Sequence, residues 1–216
     1  MALADDLRKK GVLKNPRLIE AFRAVDRKKF VPKEFEDYAY IDEPLSIGEG
    51  QTISQPWTVA FMLELLGPKP GENIMEIGYG SGWQTALLAA VGANVWAIER
   101  VDGLCKWGED NVKNFPLLTK EGVGEVKFFC QDGTFGLPEV AEKICGFDKI
   151  IVAAALQLST SDVDNLPQAW KGQLKIGGKI VAPIGNSIFE FIKNSNETFG
   201  EREHPGFVFV PLVSEK

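Results

Sequence analysis

The chain changes its hydrophobic period near residue 73. Before that point apolar positions recur at helical spacing or with no period. Asn15 supplies a side-chain acceptor at a helix start, Pro16 suits the first helical turn, and Leu18, Ile19, Phe22 and Val25 then share one face. This predicts a short amphipathic helix that needs a partner surface. The stretch 30–50 mixes aromatics, prolines and glycines and is expected to be an irregular connector. A second helix is predicted over 56–66, capped by Ser54 or a neighbouring polar residue and stopped at Gly67.

From Asn73 onward short apolar runs alternate with helical patterns, as in a parallel sheet covered by helices on both faces. The runs are 74–77, 95–98, 126–130, 149–153 and 179–184, with helices predicted over 83–91, 102–114 and 162–174. Two further strand-like runs, 188–192 and 207–213, are separated only by the polar stretch 194–206, which leaves no room for a long crossover helix. These last strands should therefore pair antiparallel. The expected fold is a doubly wound α/β sheet of about seven strands, mostly parallel with an antiparallel end. It occupies residues 71–216, and residues 1–70 form a helical extension.

Charge and rare residues narrow the chemistry. The net charge of −6 has the wrong sign for neutralising phosphates, so nucleic acid is not an expected partner. His204 is the only histidine and is expected to be a loop residue, which leaves histidine-rich metal sites and histidine-activated nucleophiles a single candidate. Cys105, Cys130 and Cys145 are odd in number and widely spaced. They read as core thiols in a reducing compartment, with no disulfide framework and no metal site. Asp5 and Asp6 stand where a secretory leader needs an apolar run, and no run of about 18 apolar residues occurs. A cytoplasmic protein without membrane contact is expected.

The sharpest local signal is Glu76-Ile77-Gly78-Tyr79-Gly80-Ser81-Gly82, which follows the first predicted sheet strand and opens a helix. Glycines at alternate positions permit a tight turn and let a ligand approach the backbone beside the positive end of a helix. A dinucleotide fingerprint would need a third glycine where Trp83 stands, which weakens a nicotinamide-cofactor reading. Glu99 closes the second strand 21 residues after Gly78, the place of an acceptor for ribose hydroxyls. Asp132-Gly133 closes the third, where a carboxylate and its neighbouring backbone can read an adenine edge, although Asp-Gly is also a common turn. All three features fall at the carboxyl ends of successive strands, where open parallel sheets bind ligands.

Together these residues resemble the class I S-adenosylmethionine-dependent methyltransferases. The segment Gly48-Glu49-Gly50-Gln51-Thr52-Ile53-Ser54-Gln55-Pro56 is similar to the one that marks the protein-L-isoaspartate O-methyltransferase family. The resemblance implies a Rossmann-like methyltransferase sheet and S-adenosyl-L-methionine as cofactor, held by Thr52, Ile53, Glu76, Gly78, Tyr79, Gly80, Gly82, Glu99, Asp132 and Gly133. It implies that Ser54 lies beside the transferred methyl group, and that the substrate is the free carboxylate of L-isoaspartyl residues in damaged proteins and peptides. A monomer is expected. Such a carboxylate, with a pKa near 4, is already ionised at pH 7 and needs no general base, so a chain with one histidine suits it. The sequence departs from the family pattern at Leu156-Gln157-Leu158, at Val208, and in the bulk of Tyr79 and Trp83; the departures at Leu156 and Val208 leave open a class I methyltransferase acting on another carboxylate or on a small molecule.

Overall fold

The computed structural model describes residues 2–116, 122–156 and 166–209. The chain opens with helices α1 (Ala2–Lys9) and α2 (Pro16–Ala24), two 3-10 turns (Arg27–Phe30 and Lys33–Tyr38), a hairpin of β1 (Leu45–Gly48) and β2 (Gln51–Ile53), and helix α3 (Pro56–Leu66). The α2 start is as expected: the Asn15 side chain accepts a hydrogen bond from the Arg17 amide, and Leu18, Ala21 and Phe22 are buried. The partner surface of α2 includes Trp83, whose ring meets Phe22 edge-on at 5.6 Å. The bulky residue in the third-glycine position is thus a core contact for the N-terminal extension.

Two expectations for this region change. The connector contains the β1–β2 hairpin, turned by Glu49 and Gly50 at positive φ, a backbone geometry that the period of the side chains does not reveal. Helix α3 is not capped by Ser54. Its N-cap is Gln55, which makes no side-chain cap bond, and the Trp57 amide donates instead to Asp42 Oδ1 at 2.8 Å. Gly67 ends the helix in the left-handed conformation, as predicted.

The remaining elements are β3 (Asn73–Ile77), α4 (Trp83–Val91), β4 (Asn94–Glu99), α5 (Asp102–Lys113), β5 (Val126–Cys130), α6 (Pro138–Lys143), β6 (Phe147–Val152), α7 (Gln168–Gln173), β7 (Leu174–Ile184), β8 (Ser187–Lys193) and β9 (Phe199–Pro205). They build one seven-stranded sheet in the order β5-β4-β3-β6-β7-β8-β9. The first five strands in that order are parallel, and β8 and β9 are antiparallel. The chain runs from β3 outward to β5 and returns to β6 on the other side of β3. This creates a switch point at the carboxyl ends of β3 and β6.

The last strand lies elsewhere than predicted. It is β9, within the polar stretch 194–206, whereas residues 206–209 are not strand and 210–213 lie outside the described residues. As an edge strand β9 keeps Glu201, Arg202 and Glu203 exposed, so it lacks the apolar signature of a strand. His204 consequently sits on a strand rather than in a loop, with its ring edge-on to Phe61 at 5.3 Å. Of the helix predicted over 162–174, the described part is α7, while 162–165 lie outside the described residues.

The cysteines also differ from expectation. Cys105 and Cys130 form a disulfide with Cα atoms 5.7 Å apart, and Cys145 is exposed. The β4–β5 register sets Cys130 beside Glu99, and α5 leaves β4 to bring Cys105 back over the same strand ends. A separation of 25 residues carries no such signal in the sequence.

One hydrophobic cluster joins α1, α2, α3, α4 and one sheet face, running from Leu7, Phe22 and Leu63 to Leu87, Ile151 and Val181. A second fills the opposite face around Met75, Trp96, Phe147, Trp170 and Phe189. Of the departures from the family pattern, Leu156 is buried in this second cluster and bridges to Ile184, while Val208 is 90% exposed.

Candidate active site

The cleft at the switch point is walled on one side by the β1–β2 hairpin and the segment after it, through Ile47, Thr52, Ile53 and Ser54. The other side is formed by the loop from Gly78 to Gly80, the end of β4 at Glu99, and Gly133 and Ala153 beyond β5 and β6. The structure thus brings Thr52, Ile53, Ser54, Glu76, Gly78, Tyr79, Gly80, Glu99 and Gly133 to one cavity.

Gly82 and Asp132 are not on its wall. Gly82 is a packing glycine: at φ 83° a Cβ would lie 2.5 Å from Val112 Cγ2 and 2.8 Å from the Gly108 carbonyl on α5. Gly108 reciprocates, since a Cβ there would fall 2.2 Å from the Gly80 carbonyl oxygen. The glycine loop is therefore pressed onto α5 by two residues without side chains. Gly108 was invisible in the sequence, because glycine inside a helical pattern reads only as a weak helix former. Asp132 caps the 3-10 turn Gly133–Phe135, its Oδ1 accepting from the Thr134 amide and hydroxyl, both at 2.8 Å.

Glu99 is 8% exposed. Its Oε1 accepts from the Arg100 and Val101 amides at 2.7 and 3.0 Å, and Oε2 from the Gly80 amide at 3.0 Å. The side chain thus pins the glycine loop to the end of β4 while Oε2 keeps capacity for a further donor, since a carboxylate has about four acceptor positions. Glu76 behaves differently. Its oxygens accept from Gln84 Nε2 at 3.0 Å and Thr85 Oγ1 at 2.6 Å, which ties β3 to α4. Complete burial pushes its carboxyl up to about 7; those two hydrogen bonds oppose the shift and the charge of Glu99 adds to it. Tyr79 donates its hydroxyl to the Cys105 carbonyl at 2.8 Å, and burial followed by the charges of Glu99, Glu109 and Glu76 raises its phenol.

Ser54 is half-buried on the wall facing the glycine loop, and its hydroxyl makes no hydrogen bond to another described residue. Its carbonyl is held by Arg27, a residue the sequence left unremarked because it stands in the charged run Asp26-Arg27-Lys28-Lys29. Burial pulls the Arg27 guanidinium down to about 10 and the charge of Asp42 opposes this, so it remains a cation at neutral pH.

The lining could hold a nucleoside: Gly78 and Gly80 are half-buried and carry no side chain to keep a ligand from the backbone, and Glu99 Oε2 has room for a further donor such as a ribose hydroxyl.

Comparison with known proteins agrees with this geometry. The family model described as Protein-L-isoaspartate(D-aspartate) O-methyltransferase matches residues 1–216. A protein-L-isoaspartate O-methyltransferase of Flavobacterium psychrophilum is 43% identical over 213 residues, covering 97% of this chain and 92% of the relative. One from Methanospirillum hungatei is 40% identical over 93% of this chain and 87% of its own length. A Plasmodium falciparum structure described as a protein-L-isoaspartate O-methyltransferase in complex with S-adenosyl-L-homocysteine superimposes with a TM-score of 0.80 at 26% identity, covering 98% and 97% of the two chains. Whole-chain family match, close relatives and a shared sheet converge, and the chain belongs to the protein-L-isoaspartate O-methyltransferase family.

Proposed function

We propose that Ser54 holds the free carboxylate of an L-isoaspartyl residue, with backbone amides of the 52–55 segment, against the methyl donor bound at the glycine loop. The protein is an S-adenosylmethionine-dependent methyltransferase of the isoaspartyl repair family. The observation that supports the role of Ser54 is its place on the cavity wall together with the glycine loop, with a hydroxyl spent neither on a helix cap nor on another described side chain.

The cofactor, when bound, supplies an electrophilic methyl group on a sulfonium. Glu99 would accept from its ribose hydroxyls, the loop from Gly78 to Gly80 would border the rest of the nucleoside, and Gly133 with Gln131 would border its base. Asp132 shapes that edge through its cap on Thr134. The substrate carboxylate arrives ionised, so the chain contributes alignment rather than a base; placing reacting atoms within about 3 to 3.5 Å supplies much of the rate. Residues 1–70 act as the substrate and lid segment that excludes water from the methyltransferase unit 71–216. Among the described residues no helix is long and apolar enough to cross a membrane.

The test is transfer of labelled methyl from S-adenosylmethionine to a peptide containing L-isoaspartate, with the normal aspartyl peptide as control. Transfer to the isoaspartyl peptide alone is expected. Equal labelling of both, or of neither, would sink the substrate assignment.

A further inference from the structure

Arg27 is 1% exposed and serves four backbone carbonyls that are distant in sequence. Nη1 donates to Ala39 at 2.8 Å and Ile41 at 3.3 Å, and Nη2 to Glu43 at 3.0 Å and Ser54 at 3.1 Å. Its Cζ lies 5.3 Å from the centroid of the Trp83 ring. Trp83 is the first residue of α4, immediately after the glycine loop, and it borders the same cavity as Ser54. Both walls of the cavity therefore rest on one side chain of the N-terminal extension.

Burying a cation is costly, and an apolar residue would fill the same volume without that cost. What a guanidinium adds is a planar fork of donors that reaches several carbonyls in fixed directions while its face stacks on an aromatic ring. We propose that Arg27 is a positioning residue for methyl transfer, fixing the Ser54 hydroxyl relative to the glycine loop through the Ser54 carbonyl and the Trp83 ring. This rests on the reading of Ser54 as the group that holds the substrate carboxylate.

The test compares kcat, KM for an isoaspartyl peptide and calorimetric affinity for S-adenosyl-L-homocysteine in Arg27→Lys, Arg27→Ala, Ser54→Ala and the double variants. Lysine keeps the charge but not the fork. Arg27→Lys is expected to lower kcat about tenfold to a hundredfold, the scale of a misplaced reacting group, with KM and cofactor affinity within about threefold of the parent. Arg27→Lys/Ser54→Ala should be slowed by less than the product of the two single losses, because Arg27 acts in part by placing the Ser54 hydroxyl that the second change removes. Guanidinium chloride at low millimolar concentration should restore kcat in Arg27→Ala but not in Arg27→Ala/Ser54→Ala, with sodium chloride as control. If Arg27→Ala does not fold, Arg27→Lys carries the comparison. Parental kcat in folded Arg27→Lys, or losses that multiply with that of Ser54→Ala, would overturn the proposal. Parental kcat in Ser54→Ala would overturn the reading beneath it, and this result is seen independently of any change at Arg27.

Discussion

At the scale of the residue, Ser54 separates two roles that its position in the sequence had merged. A serine ahead of Pro56 and an apolar helix is good cap chemistry, yet the cap comes from Asp42. Ser54→Ala is therefore expected to lower isoaspartyl methylation by one to two orders of magnitude, the loss of a hydrogen bond to a charged group worth about 1.5 to 3 kcal/mol. The melting temperature should barely move, with a stability change within about 0.5 kcal/mol. Steady-state assay and thermal unfolding of the same sample decide it, and a destabilised variant of full specific activity would contradict the assignment. Glu99→Ala should weaken S-adenosyl-L-homocysteine binding in calorimetry by at least about tenfold, since it removes the acceptor we propose for the ribose and frees the Gly80 amide that Glu99 holds. Unchanged affinity in a folded variant would remove Glu99 from the site. Glu76 makes a prediction in pH. Its folded pKa, about 7, exceeds the unfolded value near 4.5, so the native state keeps a proton that the unfolded chain releases. Its contribution to stability is full below about pH 4.5, is lost as pH rises to about 7 and is constant above that, a swing of about 3 kcal/mol. The stability difference between parent and Glu76→Gln, measured by denaturant titration from pH 4.5 to 8, should follow that curve. A difference independent of pH would show that Glu76 does not titrate there.

At the scale of the element, the most consequential feature is the link between α5 and β5. The disulfide Cys105–Cys130 closes a loop of 25 residues, and each cysteine adjoins a residue of the cavity wall, Leu104 and Gln131, while the Cys105 carbonyl receives the Tyr79 hydroxyl. Closing a loop of that length stabilises the fold by about 3.5 kcal/mol on the chain-entropy account. Reduction with dithiothreitol, or Cys130→Ser, should lower the melting temperature by about 10 °C. Identical melts with and without reductant would show that the link contributes nothing. Elements also show what period reading can resolve. Strands β3, β4 and β6 and helices α3, α4 and α5 were legible because each buries an apolar run or stripe in a core cluster. Hairpin β1–β2 was not, since its identity lies in the positive φ of Glu49 and Gly50. Strand β9 was not, because pairing with β8 alone holds a polar edge strand in place.

At the scale of the molecule, the N-terminal extension and the sheet share a hydrophobic cluster that runs without a break from Leu3 to Ile188. Unfolding is therefore expected to be one transition, with near-ultraviolet dichroism from the buried Trp83 and Trp170 coinciding with the far-ultraviolet signal. A separate early loss of the tertiary signal would mean that residues 1–70 detach as a unit. The sequence by itself determined the alternation of strands and helices, the parallel sheet with its antiparallel end, the glycine loop and the acid at Glu99. These follow from local periodicity and from chemistry confined to a few consecutive residues. Tertiary structure alone decided which acid caps α3, which glycines press the loop onto α5, that Cys105 meets Cys130, and that Arg27 holds Ser54 across 27 residues of chain. Each of these is a contact between positions far apart in sequence, selected by the geometry of packed elements and the need to satisfy buried polar groups, and no window of neighbouring residues contains that information.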